Sequence, residues 1–239
     1  PDYIDPMWLG LACGQPCWNL DFFTMGSDEI RECFVRQSAG ADVVLIEGNK
    51  GLFDGLDVEG GDSNAALAKL LNIPVVLVID VTGITRGIAP LLSGYVAFDP
   101  EIRIAGVVLN CVASPRHERK LRAAIDLYTD LPVLGAIPRS EELHIEERHL
   151  GLVTSAEHNQ ADSWLGSVAK TVDAAMDIDA LLDLTGGFTE EILVKPVKKK
   201  QPVDLRIAIA RDKAFGFYYP DSQSGNDVKE STYIATQNI

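Results

Sequence analysis

A short glycine-rich segment with a carboxylate near each end is the first candidate for a functional site in this chain. It reads EGNKGLFDG, spans residues 47–55 and follows an apolar run. In open α/β sheets, ligands bind in the crevice beyond the carboxyl ends of the strands. Glu47 and Asp54 would lie at that edge, where a metal-nucleotide or an activated carboxylate can be held. The competing interpretation is a surface turn in which Gly51 and Gly55 supply a positive φ.

More polar residues fall where the same edge of a sheet is expected. Besides Glu47, the strand ends supply Asp80 and Asn110. The loops supply further carboxylates, namely Asp2, Asp5, Asp21, Asp54 and Asp57. Mg²⁺ is typically held by one or two carboxylates together with substrate phosphates. This acidic rim therefore favours a magnesium–nucleotide site.

The loop that would cradle the phosphates is not in the sequence. No G-x-x-x-x-G-K-[ST] motif occurs, and Lys50 does not have the required spacing. In this fold the phosphate loop follows the first strand, whereas the chain opens at Pro1 in what reads as a loop. We therefore expect a fragment that lacks its natural start and its N-terminal phosphate loop.

Strand and helix patterns alternate along most of the chain. Strands are predicted at 42–47, 74–80, 103–110 and 132–137, and helices at 28–38, 63–71, 88–98, 116–128 and 160–184. Asp62 or Ser63 could cap the helix at 63–71. In the helix at 116–128, the apolar residues at helical spacing are Leu121, Ala124, Ile125 and Tyr128. The strands are near-continuous runs of Val, Ile and Leu, which is typical of parallel strands buried on both faces. The pattern predicts an α/β fold in which a parallel sheet has helices on both faces and the last helix packs back on the sheet.

A change of composition near residue 186 predicts a domain boundary. Residues 195–202 are lysine-rich and bounded by prolines, which is typical of a solvated tether. A new strand is predicted at 205–210, and residues 221–239 are polar without a core-forming period. A domain needs far more than ~35 residues to bury a core. We expect a synthetase-sized domain at 1–185, a linker at 186–203 and the start of a second domain at 204–239.

Composition excludes several classes of partner. The net charge of −14 argues against nucleic acid and against an anionic membrane surface, because both require a basic face. No apolar run reaches the ~18 residues of a membrane span, so we expect a cytoplasmic protein. The four cysteines (Cys13, Cys17, Cys33, Cys111) are interpreted as free thiols, and the four histidines (His117, His144, His149, His158) lack metal spacing.

Five short motifs in a fixed order resemble one known family. They are DYIDP at 2–6, NLD at 19–21, EGNKGLFDG at 47–55, GVVLN at 106–110 and ERHLGL at 147–152. Together they resemble the cobyrinic acid a,c-diamide synthase family over most of residues 1–185. Residues 215–221, FGFYYPD, resemble the start of the glutaminase domain of that family.

The resemblance implies an amidating ligase. In such an enzyme, ATP phosphorylates the a and c carboxylates of a tetrapyrrole, and ammonia from glutamine displaces the phosphate. The implied fold is P-loop NTPase-like and similar to dethiobiotin synthetase, and the implied cofactors are ATP and Mg²⁺. The implied partners are the tetrapyrrole and glutamine or ammonia, with a homodimer considered as the assembly.

The resemblance also assigns roles to residues. Glu47 would be a Mg²⁺ ligand, Asp54 would help to position the metal or the acyl-phosphate, and Asn110 would contact adenine. The segment that binds and orients the tetrapyrrole and the ammonia would contain Asp2, Tyr3 and Asp5. Asp2 and Asp5 are therefore expected to be catalytic together with Glu47 and Asp54.

The chain departs from the family pattern in three places. The phosphate loop and the lysine before residue 2 are absent, and so is the glutaminase domain beyond its first strand, with its nucleophilic cysteine. Cys111 follows the adenine-side asparagine and is no substitute. Asn49 and Lys50 stand where corrin enzymes usually carry apolar residues. That variant resembles a sister group of dissimilatory sulfur metabolism, proposed to amidate sirohaem.

Two alternatives to an active amidoligase stay open on the sequence. One is a non-catalytic binding or regulatory module of P-loop fold, akin to partitioning ATPases, in which the segment 2–5 would have no role. The other is a fragment of an amidoligase that is inactive alone because it has no phosphate loop. We favour the fragment of an amidoligase, with a corrin or sirohaem as substrate.

Overall fold

The computed structural model describes residues 3–145, 147–148, 151–152, 155, 160–185, 208–210 and 232–234. Its helices are α1 (Ile4–Cys13), α2 (Ser27–Ser38), α3 (Asn64–Leu71), α4 (Ile88–Phe98), α5 (Pro115–Tyr128), α6 (Ala161–Ala175) and α7 (Ile178–Asp183), with a 3-10 turn at Glu141–Leu143. Its strands are β1 (Val75–Asp80), β2 (Ile104–Val112), β3 (Val133–Pro138), β4 (Glu147–Arg148), β5 (Gly151–Leu152), β6 (Ala208–Ala210) and β7 (Thr232–Ile234).

The described residues fall into two compact units. The larger unit lies within residues 38–144 and 166–191, and the other lies within residues 1–37, 145–165 and 192–239. The larger unit contains β1, β2 and β3 in that spatial order, all parallel. Helix α4 connects β1 to β2 and α5 connects β2 to β3, so the unit is built from two successive β-α-β crossovers. This confirms the predicted α/β fold with a parallel sheet.

Apolar periodicity places the core between the sheet and its helices. In β2, residues 106–109 are buried, as expected for a strand in the middle of a parallel sheet. From α5, Leu121, Ala124 and Ile125 are buried, and they lie at the three- and four-residue spacing of one helix face. The periodicity of the sequence identified these three residues correctly, but it also placed Tyr128 on this face, and Tyr128 is 48% exposed.

Two glycines let neighbouring elements approach closely. A Cβ on Gly106 of β2 would lie 2.6 Å from Cδ1 of Leu134 in β3, so only hydrogen fits there. A Cβ on Gly135 of β3 would overlap the sulfur of Met176. Glycine inside a strand usually marks such an approach. Here it brings Met176 into an isolated bridge with Gly135.

The strand predicted at 42–47 is wrong. The segment forms neither a strand nor a helix, and Val43, Val44 and Leu45 are 46%, 42% and 81% exposed. A strand becomes buried by pairing with neighbours and by helices on both faces. In the described part of the chain β1 pairs only with β2, so no strand from residues 42–47 is added at the other edge of β1.

The loop expected at the start of the chain is a helix from Ile4 onward. Asp5 lies in its first turn, and Pro6 is tolerated there because the first backbone N–H groups of a helix have no internal partner. The helix ends at Gly14, which has φ of 66° in the left-handed region. Trp8 of this helix is buried and meets Trp164 of α6 edge-on, with ring centroids 5.1 Å apart.

The single helix predicted at 160–184 is two helices. Helix α6 ends at Ala175, and the backbone N–H of Asp177 donates to the carbonyl of Leu134 in β3 at 2.8 Å. Oδ1 of Asp177 then accepts from the N–H of Ala180 at 2.9 Å and caps α7. The predicted packing of this segment against the sheet is confirmed, and the contact with β3 interrupts the helix.

Short strands occur in segments that were expected to be irregular. Strands β4 and β5 form an antiparallel pair within residues 147–152, which were expected to be a charged loop or a helix end. Strand β6 lies within the predicted strand 205–210 and pairs in parallel with β7, in the segment 221–239 that was expected to have no core-forming pattern. Residues 195–202 and 215–221 lie outside the described residues. Among the helices of the described part, none has both the length and the apolarity to cross a membrane.

Candidate functional site at the carboxyl edge of the sheet

Two polar side chains near the carboxyl ends of β1 and β2 lie at the same edge of the sheet. Asp80 lies opposite Asn110 in the parallel register, and the N–H of Val81 donates to the carbonyl of Asn110 at 3.0 Å. The amide of Thr82 donates to Oδ1 of Asp80 at 2.8 Å. Hydrogen bonds from Thr82, and more weakly the charge of Arg139, lower the pKa of Asp80 below its usual value. Asp80 is therefore an ionised, exposed carboxylate at this edge.

Asn110 is held by the backbone that follows it. Its Oδ1 accepts from the N–H of Cys111 at 2.9 Å, and Cys111 has φ of 60°, which is uncommon for a residue other than glycine. The side-chain carbonyl of Asn110 is thus engaged, and the amide nitrogen is the group that would donate to a ligand. Asn110 and Cys111 are half-buried, as the walls of a crevice would be.

The glycine-rich loop is shaped by carboxylates that lie against its glycines. A Cβ on Gly51 would overlap the carboxylate of Asp54, and a Cβ on Gly55 would overlap the carboxylate of Asp62. The described glycines with positive φ are at other positions, so the turn interpretation was wrong about Gly51 and Gly55. These glycines are required because carboxylates approach the backbone closely.

Asp62, which we had considered only as a helix cap, organises this loop. Its Oδ1 accepts from the N–H of Leu56 at 2.8 Å, and its Oδ2 lies 3.5 Å from Nζ of Lys50. The hydrogen bond from Leu56 lowers the pKa of Asp62, and the charge of Lys50 adds to this effect. The side chain is 22% exposed, so the pair is partly shielded from solvent. The ion pair thus connects Lys50, in the middle of the loop, to Asp62, which directly precedes the N-cap of α3.

The start of α3 anchors the loop from the other side. Ser63 is the buried N-cap, accepting from the N–H of Ala66 at 3.1 Å and donating its hydroxyl to the carbonyl of Gly60 at 2.6 Å. Asn64 donates to the carbonyl of Lys50 at 2.8 Å, so the first turn of α3 holds the glycine-rich backbone directly. Of the two caps predicted for this helix, Ser63 is the one used.

Aromatic packing fixes the remaining side of the loop. Phe53 stacks on Tyr95 of α4, with ring centroids 5.7 Å apart, and meets Phe98 at 4.7 Å. The adjacent Leu52 is buried in the hydrophobic core, and its carbonyl accepts from the N–H of Ala65 at 2.8 Å. The loop is therefore a packed, cross-linked structure between α3 and α4.

The two predicted carboxylates of the loop, Glu47 and Asp54, are both exposed members of the larger unit. Within the described ranges, no three His, Cys, Asp or Glu side chains come close enough together to hold a metal ion. Mg²⁺ needs fewer protein ligands than this, because it keeps several waters and also binds substrate phosphates. The exposed carboxylate oxygens of Glu47 and Asp54 are therefore of the kind that a magnesium–nucleotide needs, and Glu47 as the ligand remains a prediction.

The residues expected to bind the tetrapyrrole lie in the smaller unit. Tyr3 precedes α1 and Asp5 is in its first turn, where a negative charge interacts favourably with the helix dipole. Asp2 lies outside the described residues. Asp21 accepts from the hydroxyl of Thr24 at 2.9 Å and closes a turn. The roles of Asp2, Tyr3 and Asp5 remain predictions.

Residues 25–147 match a family model described as an AAA domain. The chain belongs to the AAA domain family. The matched range contains the glycine-rich loop and all three strands of the parallel sheet, so the edge with Asp80 and Asn110 lies inside the AAA domain. No solved structure matches the chain.

Comparison with curated proteins extends this result beyond the AAA domain. The chain is 45% identical, over 93% of its length, to a cobyrinate a,c-diamide synthase of Magnetococcus marinus, covering 49% of that protein. It is 41% identical, over 92% of its length, to a cobyrinate a,c-diamide synthase of Dehalococcoides mccartyi, covering 48%. It is also 41% identical, over 92%, to a hydrogenobyrinate a,c-diamide synthase of Brucella anthropi, covering 50%.

These relatives confirm the resemblance inferred from the five motifs. The chain spans about half the length of the curated relatives that it matches. The sequence had not identified Asp62 and Arg139 as parts of the site. Asp62 had a visible signal, since it stands two residues before the first residue of α3, whereas nothing in the sequence indicated that the charge of Arg139 acts on Asp80.

Proposed function

We propose that the full-length protein that contains this chain is an ATP-dependent amidating ligase for the a and c carboxylates of a tetrapyrrole, with glutamine as the ammonia donor. The observation that carries this proposal is the identity of 41–45% to proteins named cobyrinate and hydrogenobyrinate a,c-diamide synthase, over more than nine-tenths of the chain. The AAA domain supports the use of ATP. A cytoplasmic location, which supplies ATP and glutamine, belongs to the proposal.

The reaction divides into two balanced steps. A carboxylate of the tetrapyrrole attacks the γ-phosphorus of ATP, and ADP leaves, which forms an acyl-phosphate. Ammonia released from glutamine, with glutamate as the other product, then attacks the acyl carbon, and inorganic phosphate leaves as the amide forms. Phosphoryl transfer depends on positioning and electrostatic stabilisation more than on a protein nucleophile. The loop 47–55 contains no Ser, Thr, Cys or His, which is consistent with that requirement.

The carboxylates of the AAA domain fit the phosphate side of this reaction. Glu47 would hold Mg²⁺, which supplies positive charge at the transferring phosphoryl group when it is bound. Asp54, two residues beyond the buried Leu52, would help to position the metal or the acyl-phosphate. Asn110 would donate its side-chain amide to adenine from the neighbouring strand end.

A corrin is the substrate that we favour over sirohaem. The unusual Lys50 of the loop pairs with Asp62 at 3.5 Å, which gives it a role within the loop and weakens its value as a sign of sirohaem. The relatives compared above are named for corrin substrates. Cobyrinic acid should therefore be amidated faster than sirohaem by the full-length protein, and the opposite preference would reverse this choice.

The direct test is ATP turnover by the full-length protein. We expect ADP release that requires both a tetrapyrrole carboxylate and glutamine, together with the appearance of the diamide by mass spectrometry. No stimulation by any tetrapyrrole would contradict the proposal. Stable binding of a protein partner without nucleotide dependence would then favour the non-catalytic module instead.

Exchange of Glu47 for Gln tests the proposed metal ligand. The substitution removes the negative charge at nearly constant volume, and we expect Mg²⁺-dependent turnover to fall by about 10²–10³-fold, as when a charge-stabilising group is lost. Far-UV circular dichroism should be unchanged. The matched control is Glu59→Gln, the same exchange at an exposed carboxylate four residues beyond the loop, which should retain wild-type turnover. Equal activity of the two variants would remove Glu47 from the site.

A further inference from the structure

The ring of His117 connects the loop that follows β1 to the short loop that follows β2, residues 113–114. His117 lies in the first turn of α5 and is half-buried. Its Nδ1 lies 3.2 Å from the backbone nitrogen of Ala113, and its Nε2 lies 2.5 Å from the carbonyl oxygen of Ile84. An amide N–H can only donate and a carbonyl can only accept. Nδ1 is therefore the acceptor and Nε2–H the donor, which defines a neutral ring of one tautomer.

Each of these loops is fixed at two points. Next to the sheet, the N–H of Val81 donates to the carbonyl of Asn110 and extends the pairing of β1 with β2 by one residue. Beyond that point, Gly83 in the first loop has φ of 72°, and Cys111, near the end of β2, has φ of 60°. The ring of His117 connects the two loops there. The loop after β1 has a second contact with α5, where Arg86 donates to the hydroxyl of Tyr128 at 2.9 Å near the far end of the helix.

We propose that His117 is a positioning residue for the nucleotide. The pairing of β1 with β2 sets the separation of Asp80 and Asn110, and the bridge from His117 to Ile84 holds the loop after β1 in place beside them, at the edge where the nucleotide would bind. The inference rests on the nucleotide-binding part of the proposed function and adds a residue to it. Because the bridge acts on the position of ATP before the reaction, it affects the affinity for ATP and leaves the chemical step unchanged.

The placement of the ring separates this role from simple stabilisation of α5. The helix is capped by Ser114, whose hydroxyl oxygen accepts from the backbone N–H of His117 at 3.2 Å, and that bond does not involve the imidazole. The bond from Nδ1 to Ala113 is local, whereas the bond from Nε2 reaches across 33 residues of sequence to Ile84. Loss of the bond from Nε2 to Ile84 therefore loosens the loop after β1 from the start of α5, and it leaves the cap formed by Ser114 intact.

Two substitutions at position 117 separate these bonds. In His117→Asn, the side-chain amide oxygen lies near the place of Nδ1 and can still accept from Ala113, but nothing reaches Ile84. In His117→Gln, the longer amide can donate to Ile84. For the full-length protein we expect the Asn variant to raise the KM for ATP about three- to tenfold, the effect of one neutral hydrogen bond, with kcat within about twofold of wild type. The Gln variant should restore KM to within about twofold of wild type.

The control is His144→Asn, the same exchange at an exposed histidine that ends the 3-10 turn, and it should leave KM unchanged. Equal KM values for wild type and both variants at position 117 would overturn the proposal. A fall in kcat at constant KM would also overturn it, as would a raised KM in the Gln variant equal to that in the Asn variant.

A measurement on the unaltered protein does not depend on the folding of any variant. Bound ATP should slow hydrogen exchange at the amide of Ala113 and in residues 81–87, and unchanged exchange in both segments would overturn the proposal. Direct calorimetry of ATP binding, without tetrapyrrole or glutamine, keeps the two hypotheses apart. A lowered ATP affinity of the Asn variant in a protein that amidates no tetrapyrrole would support the role of His117 and contradict the proposed function. An unchanged ATP affinity of the Asn variant in a protein that does amidate a tetrapyrrole would support the proposed function and contradict the role of His117.

Discussion

At the scale of single residues, the candidate site depends on pairs that the sequence does not place side by side. Asp62 accepts from the backbone of Leu56 and lies near Lys50, so it fixes a loop whose functional carboxylates are expected to be Glu47 and Asp54. A carboxylate that is used in this way is not available to bind a ligand, but it holds the loop that carries Glu47 and Asp54 in place. Hydrogen bonds to the ionised form favour that form, which is why the pKa of Asp62 is lowered.

The lowered pKa of Asp62 predicts how the loop responds to acid. A carboxyl group with a lower pKa in the folded state contributes stability that is complete above 3.8, its ordinary value, and is lost as the pH falls through the lower folded pKa. In NMR spectra, the amide proton of Leu56 should shift with a midpoint below 3.8. In the control variant Asp62→Asn that titration should vanish. A midpoint at or above 3.8 would show that Asp62 is not held by Leu56.

At the scale of elements, close approach decides where the sheet and helices lie. Gly106 lies against Leu134 of the next strand, and Gly135 lies against Met176, where the chain returns to the sheet after α6. The interruption of the predicted long helix at Asp177 follows from the same contact, because the backbone there bonds to β3. Helix propensity alone favours continuation, but the hydrogen bond to the strand edge outweighs it.

Exchange of the same residue type at two positions tests this account of packing. Gly106→Ala should destabilise the protein by about 1–3 kcal/mol, because the new methyl group overlaps Leu134 in a packed region. The matched control is Gly94→Ala in α4, where no atom lies within 4 Å of the new methyl group. There the exchange should stabilise the helix by up to about 1 kcal/mol. Urea unfolding followed by circular dichroism measures both changes, and effects of the same sign would contradict the packing argument.

At the scale of the whole molecule, the chain combines a strongly negative net charge with an AAA domain. The net charge is −14, and the described part contains no cluster of acidic and histidine side chains arranged around a metal ion. An anionic ligand such as ATP therefore depends on local features, and the metal would be bound together with its phosphates. The two compact units divide the site residues, with Tyr3 and Asp5 in one and Glu47, Asp54 and Asn110 in the other.

The overall charge predicts that the protein does not bind nucleic acid. A protein gains affinity for DNA by neutralising phosphates with lysine and arginine, and this chain has 35 acidic against 21 basic residues. Fluorescence anisotropy with a labelled duplex oligonucleotide at about 0.15 M salt should show no binding tighter than about 10⁻⁴ M, the weak end of non-specific binding. A micromolar dissociation constant for the duplex would show that a small-molecule ligase is not a complete description of what the protein does.

The sequence by itself determined the local order of the larger unit. The strands at 75–80 and 133–138 and the helix at 88–98 agree with the predictions within one residue, because apolar runs, helical spacing and caps such as Ser63 act over short distances. Five ordered motifs also identified the diamide synthase relatives, since a set of spaced residues is specific even when each motif is weak.

Only the tertiary structure decided which local preferences were kept. The apolar segment 42–47 had every local property of a buried strand, yet it is not a strand and most of its side chains are exposed, since burial of a strand depends on a neighbour elsewhere in the chain. The register that places Asp80 opposite Asn110, and the bridge from His117 to Ile84, also join residues far apart in the sequence. Local pattern cannot specify such contacts, because their geometry is fixed only when the sheet and helices pack together.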